Sequence, residues 1–213
     1  TFQNHMTYTC EKYGTDVEIP AAEVNVPLSE EAQEQLSVYI EGIRDADAML
    51  GELTDYFAGR DEPVLLLFFG DHMPSLGTDQ SIYGELGIDL DPISADLETT
   101  FYPYATPFLI WGNDACASVL DWDTAVEALE LPETGYLSAC FLGQIILELT
   151  GRGRESAWTE FLGQLRRQLP VVHQGTYMTM DGTVTIVPNA DQAALLEQWR
   201  KWTYYKMKHK VIP

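Results

Sequence analysis

Hydrophobic residues in the first third of the chain recur at helical spacing. Ser29 is a suitable N-cap, and Glu30 and Glu31 follow it, where the positive end of a helix dipole favours acidic side chains. An apolar residue then returns every three or four positions, which predicts a long amphipathic helix that ends at Gly59. Its apolar stripe consists of Leu36, Ile40, Ile43, Ala46, Leu50, Leu53 and Phe57.

Two short runs further along are apolar without alternation. The first covers 64–69 after Pro63, and the second covers 107–111. Each run is too short for a typical helix, so we expect strands that are buried on both faces, as in parallel sheets. A long helix followed by such strands predicts an α/β layered sheet with flanking helices. The region between the strands, Met73–Tyr104, is predicted to be a long loop, and loops of this length usually carry function.

The last third combines helical patterns with one alternating segment. The predicted helices are Tyr136–Leu149, which ends before Gly151, then Glu155–Leu169 and Asp191–Lys208. Between the last two, 175–187 alternates around Asp181-Gly182, a two-residue sequence that strongly favours a hairpin turn. We therefore expect a small α+β unit at the end of the chain.

Charge is distributed unevenly along the 213 residues, which carry a net charge of −21. Residues 1–151 hold 28 acidic and three basic side chains, whereas 152–213 hold five acidic and nine basic ones. This change supports two domains, an α/β domain over 1–151 and a small α+β subdomain over 152–213 packed on it. The acidic body repels phosphate backbones at long range, so nucleic-acid binding is not expected.

Composition and the start of the chain add two expectations. Apolar residues make up 46% of the sequence, enough for a core, and no apolar run reaches the roughly 18–20 residues of a membrane helix, so we expect a soluble chain. The chain begins without a methionine or a signal peptide, inside a strand-like stretch, and we expect a fragment of a longer protein. At most one disulfide can form among Cys10, Cys116 and Cys140, and buried thiols are the simpler expectation.

The segment Gly70-Asp71-His72-Met73-Pro74 is the most informative for chemistry, because open α/β sheets place ligands where strands end. A carboxylate and an imidazole on adjacent residues can both reach one divalent ion when the strand opens into a loop. Oxygen and nitrogen ligands suit Mn²⁺ or Zn²⁺ better than Ca²⁺. The alternative is structural: Asp71 caps the loop and His72 makes an ordinary hydrogen bond.

A second polar cluster, Gln3-Asn4-His5-Met6-Thr7-Tyr8, closes the strand-like start of the chain. His5 could donate a proton or a hydrogen bond to a substrate. The alternative is a structural histidine whose hydrogen bonds are satisfied within the fold.

Taken together, these motifs resemble the sulfatase-like phosphoglycerol transferases, the lipoteichoic acid synthase family of the alkaline phosphatase superfamily. The resemblance rests on Gln-Asn-His-x-x-Tyr, on Tyr39…Ile43…Asp47-Ala48…Leu50-Gly51 in the long helix, and on Gly-Asp-His-x-Pro-x-Leu-Gly after the first apolar run. The segment 104–111 also resembles that family's next strand. The similarity is good over about residues 1–151 and loose over 152–213.

The resemblance implies the C-terminal part of an alkaline phosphatase-like catalytic domain. Asp71 and His72 match the family's metal-ligating pair, with Mn²⁺ as the first choice and Zn²⁺ or Mg²⁺ as alternatives. His5 matches the histidine that faces the substrate's phosphoglycerol or leaving group. The implied substrate is an anionic phospholipid or a related phosphodiester, attacked by a threonine that becomes phosphoglycerylated. The implied parent is membrane-anchored, with its catalytic domain outside the bacterial cytoplasmic membrane.

Two departures from the family pattern bear on activity. The family's nucleophilic threonine and a further acidic metal ligand lie in an N-terminal half that is not part of this sequence, and none of Thr7, Thr9 and Thr15 has the required context. Leu76 stands where some members carry another histidine. We therefore expect the 213 residues to be inactive alone and to need the other half, or self-association, for stability. A sulfatase, a phosphatase or a non-catalytic binding domain on this scaffold remain alternatives.

Aromatic and basic residues alternate near the end of the chain, over 199–210. One interpretation is a segment that lies on anionic lipid, with Lys206, Lys208 and Lys210 facing the headgroups. The favoured interpretation is a terminal helix that packs Trp199 and Trp202 on the body and turns its lysines to water.

Overall fold

The computed structural model describes residues 21–90 and 100–209, which form two compact units. The first contains 21–90 and 101–116, and the second contains Thr100 and 117–209. The domain boundary predicted between residues 151 and 152 stays a prediction. None of the described helices is both long enough and apolar enough to cross a lipid bilayer.

The long helix of the first unit, α1, spans Glu30–Ala58 and confirms the predicted limits. The Ser29 hydroxyl accepts a hydrogen bond from the Ala32 amide at 3.2 Å, which satisfies one of the free N–H groups at the helix start. Only the first half of the apolar stripe is well covered: Leu36 is buried, whereas Ile43 is 49% exposed.

The region predicted to be a long loop is folded over part of its length. A 3₁₀ turn at Thr78–Gln80 leads into a short helix, α2, at Ser81–Glu85. Ile82 and Tyr83 of α2 are buried with Leu76 against the first turns of α1. The sequence pattern did not predict α2, because its five residues make less than two helical turns and are too few to show a helical period.

Two strands form the sheet of the first unit: β1 spans Leu65–Phe69 and β2 spans Phe108–Gly112. They pair antiparallel, with Leu65 opposite Gly112 and Phe69 opposite Phe108. The prediction of a parallel strand buried on both faces was therefore wrong in direction and in burial, since β1 is half-buried and Phe69 is 46% exposed. Each strand has a single neighbour among the described residues, which leaves apolar side chains partly uncovered.

We expect the isolated 213-residue chain to self-associate. A two-stranded sheet is only marginally stable by itself, and outer strand edges flanked by exposed apolar residues such as Phe69 and Leu109 attract other chains. Sedimentation velocity between about 5 and 100 μM tests this, because the average mass should rise with concentration. A monodisperse, well-folded monomer across that range would contradict it.

Helices surround the core of the second unit. Further helices within residues 100–209 are α3 (Asp114–Ala117), most of which belongs to the first unit, and α4 (Trp122–Ala128), α5 (Leu142–Leu149), α6 (Ala157–Arg166) and α7 (Ala190–Lys208) of the second. Phe141, Phe161 and Leu165 are buried at the centre of this unit. Two of the predicted helices are shorter than expected: α5 follows a 3₁₀ turn at Ala139–Phe141, and α6 begins after its N-cap, Ser156.

A three-stranded antiparallel sheet completes the second unit. Its strands are β3 (Val171–His173), β4 (Thr176–Met178) and β5 (Val184–Thr185). The predicted hairpin is present as β4–β5, but its turn covers the five residues between the strands, with Gly182 at φ +84°. β3 was not predicted; its connection to β4 uses Gln174 and Gly175, both with positive φ.

An arginine lies at the centre of a polar network in the second unit. The Arg166 side chain is completely buried and contacts the Glu148 carboxylate at 2.8 Å. Its guanidinium also donates to the Gln144 side-chain oxygen at 3.0 Å and to the Leu129 carbonyl at 2.6 Å. Arg167 binds the second oxygen of Glu148, so this carboxylate connects two helices, α5 and α6.

The terminal helix α7 packs on the unit through its aromatic residues. Trp199 and Trp202 lie against the core of the second unit, and the Lys206 ammonium sits 4.7 Å above the ring of Trp158. This confirms the packing interpretation for the two tryptophans. The lipid interpretation of the lysines stays a prediction.

Candidate metal centre

Asp71 and His72 follow β1 directly, at a point where the chain is held against the start of β2. The Gly70 amide donates to the Pro107 carbonyl at 3.1 Å, which extends the β1–β2 ladder by one hydrogen bond. From Asp71 onward the chain leaves the sheet, so the two side chains project from its end. This is the strand-end position that the sequence predicted for a ligand site.

The two side chains come close together. Nε2 of His72 lies 3.6 Å from Oδ2 of Asp71. Oδ1 of the same carboxylate accepts the His72 backbone N–H at 3.0 Å, and Nδ1 of His72 lies 2.8 Å from the Met73 carbonyl oxygen. A carbonyl oxygen only accepts hydrogen bonds, so Nδ1 is the nitrogen that donates in this contact, and Nε2 is the nitrogen that faces the Asp71 carboxylate.

This arrangement fits a divalent metal ion. Two ligand atoms that are each about 2.1 Å from one ion are at most about 4.2 Å apart, and the 3.6 Å between Nε2 and Oδ2 satisfies that limit. The hydrogen bond from Nδ1 to a backbone carbonyl is the usual way to fix the orientation of a ligating imidazole. Residues Asp71 and His72 would hold the ion, with the carboxylate serving at once as ligand and as loop cap.

The pair is open to solvent and supplies only part of a coordination sphere. The side chains of Asp71 and His72 are 83% and 59% exposed. Among residues 21–90 and 100–209, no cluster of three or more His, Cys, Asp or Glu side chains is arranged to hold a metal. His5, the third predicted site residue, lies outside the described residues.

Side chains from three other segments hold the loop that carries the pair. The Thr106 hydroxyl donates to the Gly70 carbonyl at 2.7 Å, and the Tyr83 hydroxyl donates to the Pro74 carbonyl at 2.7 Å. Gln35 of α1 accepts the Gly77 amide at 2.9 Å. Sequence reasoning missed these contacts, because each joins residues at least nine positions apart and none has a local signature.

Comparison with known proteins identifies the family. A family model described as Sulfatase matches residues 1–151. The chain is also 26% identical over 166 residues to a protein of Rhizobium meliloti (strain 1021) named as a cyclic beta-1,2-glucan modification protein. That alignment covers 78% of this chain but only 23% of the relative, so the chain spans less than a quarter of its length. No solved structure gives a significant match. Because the family model covers well over half of the sequence, and its match includes Asp71 and His72, the chain belongs to the sulfatase family.

Proposed function

We propose that this chain is the C-terminal part of the catalytic domain of a metal-dependent phosphoglycerol transferase or phosphodiesterase. The observation that supports this most directly is the Asp71–His72 pair at the end of β1, with its ligand atoms 3.6 Å apart. Membership of the sulfatase family supports a hydrolase or transferase that acts on an ester of an oxyacid. In this proposal Asp71 and His72 hold Mn²⁺, with Zn²⁺ or Mg²⁺ as alternatives.

The proposed reaction proceeds in two transfers. A threonine hydroxyl outside this chain forms a bond to the phosphorus of the substrate, the bond from phosphorus to the lipid oxygen breaks, and His5 gives that oxygen a proton. An acceptor hydroxyl then gives its proton to His5 while its oxygen bonds to the phosphorus, and the bond from phosphorus to the threonine oxygen breaks, which releases the threonine for the next cycle. The ion, when bound, supplies positive charge to the phosphoryl oxygens and favours deprotonation of the threonine.

The charge of the protein makes a bound cation necessary for this reaction. Residues 1–151 carry 28 acidic and three basic side chains, and a phosphodiester is itself an anion. The acidic body would repel the substrate at long range, so local positive charge at the site must offset that repulsion. Asp71 and His72 therefore serve substrate binding as well as catalysis in this proposal.

The acceptor in this proposal is the hydroxyl of a glucan or a related carbohydrate. A relative of the chain is named for the modification of cyclic beta-1,2-glucan, and a sugar hydroxyl is chemically able to take a phosphoglycerol group. The donor would be an anionic phospholipid. We accordingly propose that the parent protein is membrane-anchored, with this domain on the outer side of the bacterial cytoplasmic membrane.

The full-length protein tests the proposal with phosphatidylglycerol labelled in its headgroup, with and without Mn²⁺ and with cyclic β-1,2-glucan as acceptor. We expect metal-dependent release of diacylglycerol and transfer of label to the glucan. Label recovered as glycerol phosphate alone would make the protein a phosphodiesterase. Hydrolysis of an aryl sulfate or aryl phosphate with the lipid untouched would replace the proposal by a sulfatase or phosphatase. No turnover of any of these, with a folded protein, would favour a binding domain.

A further inference from the structure

Thr106, which lies two residues before β2, holds the peptide group that leads into Asp71. Both backbone hydrogen-bonding groups of Gly70 are held by the two residues that precede β2: its N–H by the Pro107 carbonyl at 3.1 Å, and its C=O by the Thr106 hydroxyl at 2.7 Å. The C=O of Gly70 belongs to the peptide plane that joins Gly70 to Asp71. Fixing this plane fixes the positions of the Asp71 backbone nitrogen and Cα, and so the point from which the Asp71 side chain leaves the backbone.

The contact between Thr106 and Gly70 is also sterically tight. A Cβ built on Gly70 would lie 2.9 Å from the Thr106 Cβ, closer than real Cβ contacts allow. Glycine at position 70 is therefore required by the approach of Thr106, and its backbone angle is not the reason. Thr106 and Gly70 are therefore packed directly against each other: the Thr106 hydroxyl makes the hydrogen bond, and the absence of a side chain on Gly70 leaves space for Thr106.

The other end of the loop is held independently of Thr106. Tyr83 binds the Pro74 carbonyl and Gln35 binds the Gly77 amide, so the segment 74–77 is fixed to α1 and α2. Asp71 and His72 lie between these two attachments. Without the bond from Thr106, the loop keeps its far anchor but loses the one that directly precedes the ligand pair.

We propose that Thr106 is a positioning residue for the metal ligands Asp71 and His72. This inference rests on the proposed function, in which the pair binds a divalent ion. The Thr106 hydroxyl holds the Gly70–Asp71 peptide, and that peptide holds Asp71 within reach of His72 Nε2, 3.6 Å away. Residues that hydrogen-bond a metal ligand directly contribute about 10–100-fold in metal affinity. Thr106 acts on the peptide group next to the ligand, so we expect an effect at the low end of that range.

The test compares four variants of the full-length protein with the wild type by Mn²⁺ titration calorimetry. Thr106→Val keeps the shape and removes the hydroxyl, Thr106→Ser restores it, and Gly70→Ala forces the two strands apart. Thr54→Val is the matched control, because its hydroxyl donates to the Gly51 carbonyl at 2.9 Å on α1. We expect Thr106→Val and Gly70→Ala to weaken Mn²⁺ binding about tenfold or more, and Thr106→Ser and Thr54→Val to stay within about twofold of the wild type.

A second readout separates this inference from the proposed function. In metal-free protein, backbone hydrogen exchange at Asp71 and His72 should be faster in Thr106→Val than in the wild type, and unchanged in Thr54→Val. If the wild type binds Mn²⁺ and Thr106→Val binds it with the same affinity, the inference is overturned and the proposed function stands. Wild type that takes up no divalent ion would overturn the metal site itself, and with it the role of Thr106 toward the ion. If Thr106→Val fails to fold, Gly70→Ala and Thr106→Ser still give the comparison.

Discussion

The replacement Asp71→Ala should abolish Mn²⁺ uptake by the full-length protein and reduce turnover by at least about 10³-fold. In the proposed site Asp71 would provide one of the two ligand atoms of the pair, and the charge that an ion places near a phosphoryl group would stabilise the transition state by several kcal/mol. A loss of about 4 kcal/mol corresponds to that factor in rate. Metal content measured by mass spectrometry after gel filtration gives the first result, and steady-state kinetics give the second.

This effect should be separable from a loss of stability. Asp71 is 83% exposed, and its described hydrogen bond is to the amide of the next residue, so its removal should change the free energy of unfolding by no more than about 0.5 kcal/mol. Asp55→Ala removes the same charge from an exposed position of α1 and should leave metal content and turnover unchanged. Full metal content in Asp71→Ala would show that the strand-end pair is structural and would remove the basis of the proposed catalysis.

Local signals predicted the longest helices, α1 and α7, whereas the short helices α2, α3 and α4 and the pairing of strands were not predictable from them. The start of α1 follows from Ser29, which caps the helix by a contact three residues away, and its end follows from Gly59; the same kind of cap at Ser156 starts α6 two residues later than the predicted Glu155. Whether β2 runs parallel or antiparallel to β1 depends on the path of the roughly 40 residues that connect them. The spacing of hydrophobic residues within each strand carries no information about that path. An apolar strand with no alternation was interpreted as parallel, but it is antiparallel.

The candidate site was predictable only for the residues that carry its chemistry. Asp71 and His72 stand next to each other after an apolar run, so the sequence alone placed them at the end of a strand. Thr106, Tyr83 and Gln35 hold the loop from other segments and look like ordinary residues in the sequence. Arg166 was missed for a related reason: an arginine in a helical pattern is usually interpreted as exposed, whereas its side chain here is fully buried.

The replacement Arg166→Met should destabilise the second unit by about 3 kcal/mol. Removing one partner of a buried ion pair typically costs about 3–5 kcal/mol, because the other charge loses its compensation. The value should fall at the low end, since Glu148 keeps its contact with Arg167. The Leu129 carbonyl and the Gln144 side-chain oxygen would also lose the donor that Arg166 provides. Urea unfolding followed by tryptophan fluorescence measures the change, and Trp158 and Trp199 both lie beside this core.

An exposed ion pair of the same unit provides the control. Arg152 contacts Glu155 with both side chains at least half exposed, so solvent screens the pair and Arg152→Met should change stability far less than Arg166→Met. Equal effects of the two replacements would mean that the buried network contributes no more to stability than a surface pair. A loss well above 5 kcal/mol for Arg166→Met would instead indicate that the unit cannot form without it.

The pH dependence of stability gives an independent check of the same network. Burial tends to raise the pKa of Glu148, but hydrogen bonds from Gln144, Arg167 and Arg166 outweigh it and hold the pKa below its usual value of 4.5. The unfolded chain therefore binds a proton more readily than the folded one, so this contribution is present above about pH 4.5 and is lost as the pH falls through the lowered pKa. Arg166→Met removes one of these donors and should flatten the fall in stability below pH 4.5, whereas Arg152→Met should leave the contribution of Glu148 unchanged. Parallel curves for the wild type and Arg166→Met would show that Arg166 does not hold the Glu148 carboxylate in its charged form.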